Sequence, residues 1–243
     1  MRKGAGARLL AVFVVSGCVS SPSQPGAAEL RLQLGMHYLA VNDYSAARRN
    51  FLRAQAAAPK DYRVQLAFAR LAQRQGQTSA AHLHFLQAQQ IAPYNGYIAN
   101  NYGAFLCTLG QYDEAHQQFI RAKDAQEGDA RIDAYELSGY CYLRAGDRQS
   151  ARAALSYARD ADRSKGESLL AEAERAVERD QWANLALLLE LYQPLPETAR
   201  SLALHIRFAA QQGNHADVSR YGDQLARRFP QSIQYQRYLA NEY

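Results

Sequence analysis

The sequence predicts an all-α protein that folds as a right-handed superhelical solenoid of about six helix pairs with a C-terminal capping helix. A pattern of small, aromatic and alanine residues recurs about every 34 residues between positions 30 and 160. Turn-forming residues separate the two apolar runs within each copy. No segment alternates apolar and polar residues as a half-buried strand does, so the pattern favours helices throughout.

The pattern is present in four copies. The first contains Leu34, Gly35, Tyr38, Ala47, Phe51, Ala54 and Pro59. The second contains Phe68, Ala69, Ala72, Ala81, Phe85, Ala88 and Pro93, and the third contains Tyr102, Gly103, Leu106, Ala115, Phe119 and Ala122, with Glu127 in place of the proline. The fourth is two residues late and contains Gly139, Tyr142, Ala151, Leu155 and Ala158. This spacing is typical of a tetratricopeptide unit, a pair of helices A and B that must stack on its neighbours to bury its apolar face.

Turns and helix ends follow the same plan. The turns between helices A and B are predicted at Asn42-Asp43, Gly76, Gly110 and Gly146-Asp147. Two weaker pairs follow, at residues 169–177 with 182–192 and 202–211 with 218–229, and prolines 194, 196 and 230 end their second helices. Residues 232–243 are predicted to form the capping helix. We therefore expect residues 29–243 to form one domain.

The N-terminal segment has the features of an export signal. Basic residues precede a short apolar run at positions 9–15, which is far shorter than the ~20 residues of a membrane-spanning helix. We expect residues 1–17 to be a secretory signal peptide. The string Val15-Ser16-Gly17-Cys18 resembles a bacterial lipobox, which implies a lipidated Cys18. An ordinary signal peptide with a chance cysteine is the alternative.

The residues after Cys18 indicate where such an anchor would lead. Val19 stands where an Asp would retain a bacterial lipoprotein at the inner membrane, so the resemblance implies the outer membrane, periplasmic face. Residues 18–28 would then comprise the lipidated cysteine and a flexible tether rich in Ser, Pro, Gly and Ala. Three of the 28 Lys and Arg lie in the signal peptide, so the rest of the chain has 25 basic residues and 23 Asp and Glu. This small net charge gives no reason to expect a nucleic-acid partner.

Two cysteines remain in the predicted domain, Cys107 and Cys141, on the A helices of adjacent units. An oxidising periplasm allows a disulfide, and neighbouring helices pack at about 8–10 Å, within bridging reach. We expect this disulfide, the alternative being two buried free thiols.

Signatures of catalysis or of a metal site are absent from the sequence. The closest histidines, His82 and His84, are two residues apart and so do not share a helical face. Acidic residues Glu172, Glu174 and Glu178 accompany Arg175 and Arg179, which is typical of a solvated charged face. We expect no enzyme activity, cofactor, metal or small-molecule substrate.

The repeat predicts a concave surface lined by inner positions of the A helices. The predicted partner-binding residues are Leu32, Met36 and Leu39 in unit 1, Leu66, Arg70 and Arg74 with Arg63 in unit 2, Asn100 with Tyr97 in unit 3, and Tyr140 with Arg144 in unit 4. Exposed apolar residues at inner positions usually mark a partner site. The alternative is that the N-terminal end of the stack, folded on itself, or the tether covers the apolar residues of unit 1. Such a surface suits an amphipathic or partly acidic peptide.

With the lipobox and six helix pairs, three further strings complete a family resemblance: Asn101-Tyr102-Gly103-Ala104-Phe105-Leu106-Cys107, Gly139-Tyr140-Cys141 and Arg227-Arg228-Phe229-Pro230. The chain resembles the PilF/PilW lipoproteins of type IV pilus biogenesis over nearly its whole mature length. The resemblance implies a pilotin, an outer-membrane lipoprotein that binds the pilus secretin and promotes its membrane insertion and multimerisation. The alternative is a repeat scaffold lipoprotein for another envelope assembly, such as cell-wall enzymes or outer-membrane protein insertion.

Overall fold

The structure is a computed structural model and describes residues 26–193 and 195–243. These residues form six antiparallel helix pairs and a final short helix, with no strand among them, so the predicted all-α repeat architecture is confirmed. The A helices are α1 (Ala27–Ala40), α3 (Tyr62–Arg74), α5 (Gly96–Thr108), α7 (Gly128–Ala145), α9 (Lys165–Glu178) and α11 (Ala199–Gln211). The B helices are α2 (Tyr44–Ala57), α4 (Thr78–Ile91), α6 (Tyr112–Lys123), α8 (Arg148–Ala161), α10 (Trp182–Tyr192) and α12 (His215–Arg228), and α13 (Ile233–Leu239) follows them.

The signal peptide, Cys18 and most of the tether lie outside the described residues. Helix α1 begins at Ala27, so the last two residues predicted as tether are helical. Alanine has the highest helix propensity, and Gly26 occupies the N-cap position. The capping helix ends at Leu239, four residues before the predicted end.

Each pair turns through one residue in the left-handed region. These residues are Asn42, Gly76, Gly110, Gly146, Asp180 and Gly213, with φ between 56° and 86°. Helix B begins two residues after this residue in every pair. Asp43, Asp147 and Asn214 cap their helices, because each side chain accepts a hydrogen bond from the backbone N–H three residues further on. A left-handed residue therefore makes the turn in all six units, and a side-chain cap accompanies it in units 1, 4 and 6.

The core runs along the stack as a series of small-residue and bulky-residue contacts. Phe51, Phe85, Phe119 and Leu155, one on each of the first four B helices, are at most 1% exposed. Gly103 and Gly139 on the A helices face Phe119 and Leu155 so closely that a Cβ atom would overlap them. In unit 2 the equivalent residue is Ala69, which belongs to the same buried cluster as Phe85.

The late fourth repeat has a structural cause. Helix α7 has 18 residues against 13 in α5, because it begins with an additional turn at Gly128. Ala130 in that turn is fully buried and packs near Gly96. Its carbonyl accepts a hydrogen bond of 2.6 Å from Asn100 Nδ2. The insertion thus extends the contact between units 3 and 4.

Candidate partner-binding groove

An apolar groove lies between α1 and α3 on the A-helix side of the stack. One section, of about 460 Å³, is lined by Leu32, Met36 and Leu66 among others, and a second, of about 240 Å³, by Leu39 and Arg74. Met36 and Arg70 line both sections, so the two are continuous. We call this combined feature the N-terminal groove.

The structure corrects the prediction that unit 1 exposes a patch of three apolar residues. Leu32 and Leu39 are only 6% and 5% exposed, because they pack in one cluster with Phe51 and Phe68. They form the back of the N-terminal groove and present little surface. Met36 is half-buried, as is Leu66 on the opposite wall, so these two side chains supply the accessible apolar surface.

Three exposed arginines follow one edge of the groove along α3, and they differ in their partners. Arg63 forms ion pairs with Asp61 and with Glu29 across the groove, and its hydrogen bonds to Asp61 raise its pKa. Arg70 donates to Asn101 Oδ1 at 3.1 Å, and Arg74 donates to Asn42 Oδ1 at 2.9 Å. Within the described residues, neither Arg70 nor Arg74 has a carboxylate within 4.0 Å, so both positive charges are available to a bound acidic group.

Two predicted contact residues lie elsewhere. Asn100 is 3% exposed, and its amide is used to bind Ala130 of α7, although its Oδ1 has no hydrogen-bond partner. Tyr140 packs against the leucine-rich cluster of units 4 and 5 and donates a 3.4 Å hydrogen bond to Glu136. Burial, with the negative charge of Glu136, raises the pKa of the Tyr140 phenol. Both residues are parts of the contact between units and neither lines the groove.

Sequence reasoning missed the polar side of the groove. Glu29 and Gln33 line it from α1, and Gln73 lines it from α3. The signal was present in the spacing, because Glu29 and Gln33 are four residues apart and share the helical face that holds Leu32 and Met36. The groove thus has an apolar floor, a basic edge on α3 and a mixed edge on α1.

The charged face predicted on α9 is exposed at Arg175, Glu178 and Arg179, but Glu172 is buried. Glu172 is only 9% exposed and pairs with Arg175 at 2.6 Å, while Glu174 pairs with Arg200 of α11 at 2.9 Å. Lys165 bridges α9 to α7, with its Nζ 2.8 Å from Glu136 Oε2. The pairs of Lys165 with Glu136 and of Arg200 with Glu174 join units 4, 5 and 6. The sequence showed the charges but neither the burial of Glu172 nor the partners of Glu174 and Lys165 on neighbouring helices.

The histidines take part in packing. His84 stacks on Phe68, His116 on Tyr142 and His205 on Tyr221. Burial lowers the pKa of all three imidazoles. In the described part of the chain, no three His, Cys, Asp or Glu side chains converge as metal ligands would.

Cys107 of α5 and Cys141 of α7 are joined in the structure. Their sulfur atoms lie at bonding distance, 2.15 Å, and their Cα atoms are 5.8 Å apart, a usual separation for a disulfide. The link connects the inner helices of units 3 and 4, and with the hydrogen bond from Asn100 to Ala130 it is a second contact between α5 and α7.

The six helix pairs and their repeated contacts define a tetratricopeptide-repeat protein. Two solved structures match it over most of its length: PilF of Pseudomonas aeruginosa, with 25% identity and a TM-score of 0.61, and PilW, described as a widely conserved type IV pilus biogenesis factor, with 26% and 0.62. The matches cover 88% and 89% of this chain and 97% and 100% of those chains. The resemblance predicted from the sequence is confirmed.

More distant matches show the fold alone. Yeast Tom70 is 14% identical with a TM-score of 0.56, over 88% of this chain and 43% of that one. Comparison with protein-family models and with curated proteins found no match. None of the helices within the described ranges has the length and apolar character needed to cross a bilayer.

Proposed function

We propose that this protein acts in type IV pilus biogenesis as an outer-membrane lipoprotein pilotin, which binds the secretin and promotes its outer-membrane localisation and multimerisation. The observation that carries the proposal is the similarity to PilF and PilW over nearly the whole of both chains. The lipobox ending at Cys18 supports the membrane anchor. The activity needs no covalent chemistry, because assembly depends on binding and placement.

The N-terminal groove supplies the binding surface in this proposal. Its apolar floor at Met36 and Leu66 suits the apolar face of a short amphipathic segment. Arg70 and Arg74 then pair with acidic side chains on that segment, because neither is neutralised by a carboxylate of the described chain. Arg63 contributes less, since Asp61 and Glu29 already occupy it.

Lipidation at Cys18 would let the groove carry a bound secretin segment to the outer membrane. Two or three acyl chains give stable membrane attachment, at roughly 0.8 kcal/mol per buried methylene group. A secretin segment held in the groove is then kept beside the outer membrane until its neighbours assemble. A Cys18→Ala protein is expected to leave secretin subunits unassembled, and normal localisation and assembly with this variant would refute the delivery step.

The test is a secretin-multimer assay on heat-treated membranes from cells that lack the protein. We expect multimers to disappear and to return with the wild-type gene. Met36→Asp and Arg70→Glu should fail to restore them, whereas the matched control Leu239→Asp, an exposed apolar residue of α13, should succeed. Unchanged multimers in the deletion strain would overturn the proposed function.

The alternative remains a scaffold lipoprotein for cell-wall enzymes or outer-membrane protein insertion. The same deletion strain distinguishes this scaffold from the pilotin. Intact secretin multimers combined with altered peptidoglycan or outer-membrane protein content would favour the scaffold.

A further inference from the structure

Exposed apolar side chains recur at one repeat position on the outer side of the stack. Leu52, Leu86 and Ile120 each follow the buried aromatic residue of a B helix, and they are 47%, 38% and 49% exposed. Leu83, one turn before Leu86 on α4, is 58% exposed. We call these four residues the outer stripe. In unit 4 the equivalent position holds Ser156, so the stripe ends there.

The stripe extends across three units. Because α2, α4 and α6 are the B helices of consecutive units, their side chains at one repeat position follow one another along the outer side of the stack. Outward positions of a repeat are usually polar, and a single exposed leucine would need no explanation, but an aligned row does. The stripe lies on the B helices, whereas the N-terminal groove lies between A helices.

The part of the surface that surrounds the stripe on α2 and α4 carries basic charge only. Helices α2 and α4 contain no Asp or Glu, and Arg48, Arg49 and Arg53 on α2 are exposed. In the described chain none of these three guanidinium groups has a carboxylate within 4.0 Å, since all ion pairs found there involve other residues. The stripe therefore combines exposed aliphatic side chains with uncompensated positive charge.

An aromatic residue completes this surface. Arg121, next to Ile120, donates a 3.0 Å hydrogen bond to the Pro93 carbonyl and so holds the loop after α4. Tyr94 in that loop is 91% exposed. Tyrosine combines an apolar ring with a polar tip, a property suited to the boundary between water and lipid.

We propose that the outer stripe rests on an anionic phospholipid surface, with its leucines and isoleucine in the boundary between head groups and acyl chains and Arg48, Arg49 and Arg53 on the phosphates. Interfacial protein surfaces combine these two residue classes in this way. A lipid surface is a better occupant than a protein, because α2 and α4 carry basic but no acidic side chains beside the stripe, and acidic residues enter only at its α6 end, at Asp113, Glu114 and Asp124.

The length of the preceding chain agrees with this occupant. Eight residues separate Cys18 from α1, and an extended chain spans at most about 3.3–3.6 Å per residue, so a lipid on Cys18 would hold the stack within about 30 Å of the bilayer. This step rests on the proposed lipid anchor. With the B-helix side on the membrane, the N-terminal groove stays open to a periplasmic partner.

The test attaches the chain from Cys18 onward to vesicles by coupling the Cys18 thiol to a maleimide lipid. Because Cys107 and Cys141 are joined, Cys18 is the reactive thiol, and chemical coupling makes the result independent of lipidation in cells. In a Trp182→Phe background, Leu86→Trp serves as the probe and Leu239→Trp as the matched control. Circular dichroism verifies that each variant is folded.

On vesicles with about 30% phosphatidylglycerol and brominated acyl chains, we expect at least threefold stronger quenching of the probe at 86 than at 239. The difference should shrink with Arg48→Glu/Arg53→Glu but not with the control pair Arg227→Glu/Arg237→Glu. Equal quenching at both positions, or a probe at 86 that stays unquenched on a folded protein, would overturn the proposal and leave the stripe to a protein partner.

Discussion

Gly103 of α5 lies against the ring of Phe119 of α6 with no room for a side chain. A Cβ atom on Gly103 would be 2.8 Å from Cε1 and 3.0 Å from Cδ1 of that ring, and 3.1 Å from the Ala115 carbonyl oxygen. Phe119 is 1% exposed and fills the space between units. The glycine of helix A and the aromatic residue of helix B are thus two halves of one contact, which explains their fixed spacing in the repeat.

We predict that Gly103→Ala lowers the free energy of unfolding by about 1–3 kcal/mol, because overpacking outweighs the better helix propensity of alanine. Urea denaturation followed by circular dichroism measures the change. Gly128→Ala is the matched control, since a Cβ there meets no atom within 4 Å and should leave stability unchanged or slightly higher. Phe119→Leu should partly relieve the clash, so a strictly additive double variant would contradict the proposed contact.

Removal of the disulfide should weaken the junction of units 3 and 4. The bond closes a loop with a sequence separation of 34, for which loop entropy predicts a loss of about 4 kcal/mol in Cys107→Ala/Cys141→Ala. The thermal midpoint of the variant is compared with that of the wild type, measured without reductant and again with it. Labelling of denatured, unreduced protein should detect no thiol at either position. Two reactive thiols there would show that Cys107 and Cys141 do not form a disulfide.

Loss of Lys165 should leave an unpaired carboxylate between α7 and α9. The Glu136 side chain is 10% exposed and its Oε2 lies 2.8 Å from Lys165 Nζ. Removing one partner of a buried pair costs about 3–5 kcal/mol, so we expect Lys165→Met to destabilise the protein by about 3 kcal/mol. Adding Glu136→Gln should recover much of the loss, and a double variant as unstable as the single one would argue against a charge effect.

The buried histidines should make stability fall in mild acid. Burial lowers the pKa of His84, His116 and His205 below the ordinary histidine value of about 6.5, so the unfolded chain binds protons that the folded chain does not. The destabilisation by these three histidines is therefore absent well above pH 6.5 and grows as the pH falls below it. Urea midpoints at pH 7.5 and 5.0 measure the decline, which His205→Phe should reduce. If the difference between the two urea midpoints is the same in this variant as in the wild type, His205 does not contribute to the loss of stability in acid.

The residues that line the groove could be predicted from repeat positions only in part. Repeat positions correctly located Met36, Leu66, Arg70 and Arg74 along one groove, because inner positions of consecutive A helices face the same side. They also included Asn100, which the added turn of α7 draws into a contact between units. An insertion shifts which inner residues meet, and that shift depends on packing across units.

The sequence by itself determined the repeat, the turns and the family resemblance, because these depend on spacings of a few residues within one chain segment. It also identified Cys107 and Cys141 as a pair by their place on adjacent A helices. Only the tertiary structure decided how much of Leu32, Leu39 and Glu172 meets solvent, since exposure depends on the neighbouring helices packed against each residue. For the same reason, the exposure of Leu52, Leu86 and Ile120 at one repeat position became visible only in the folded stack.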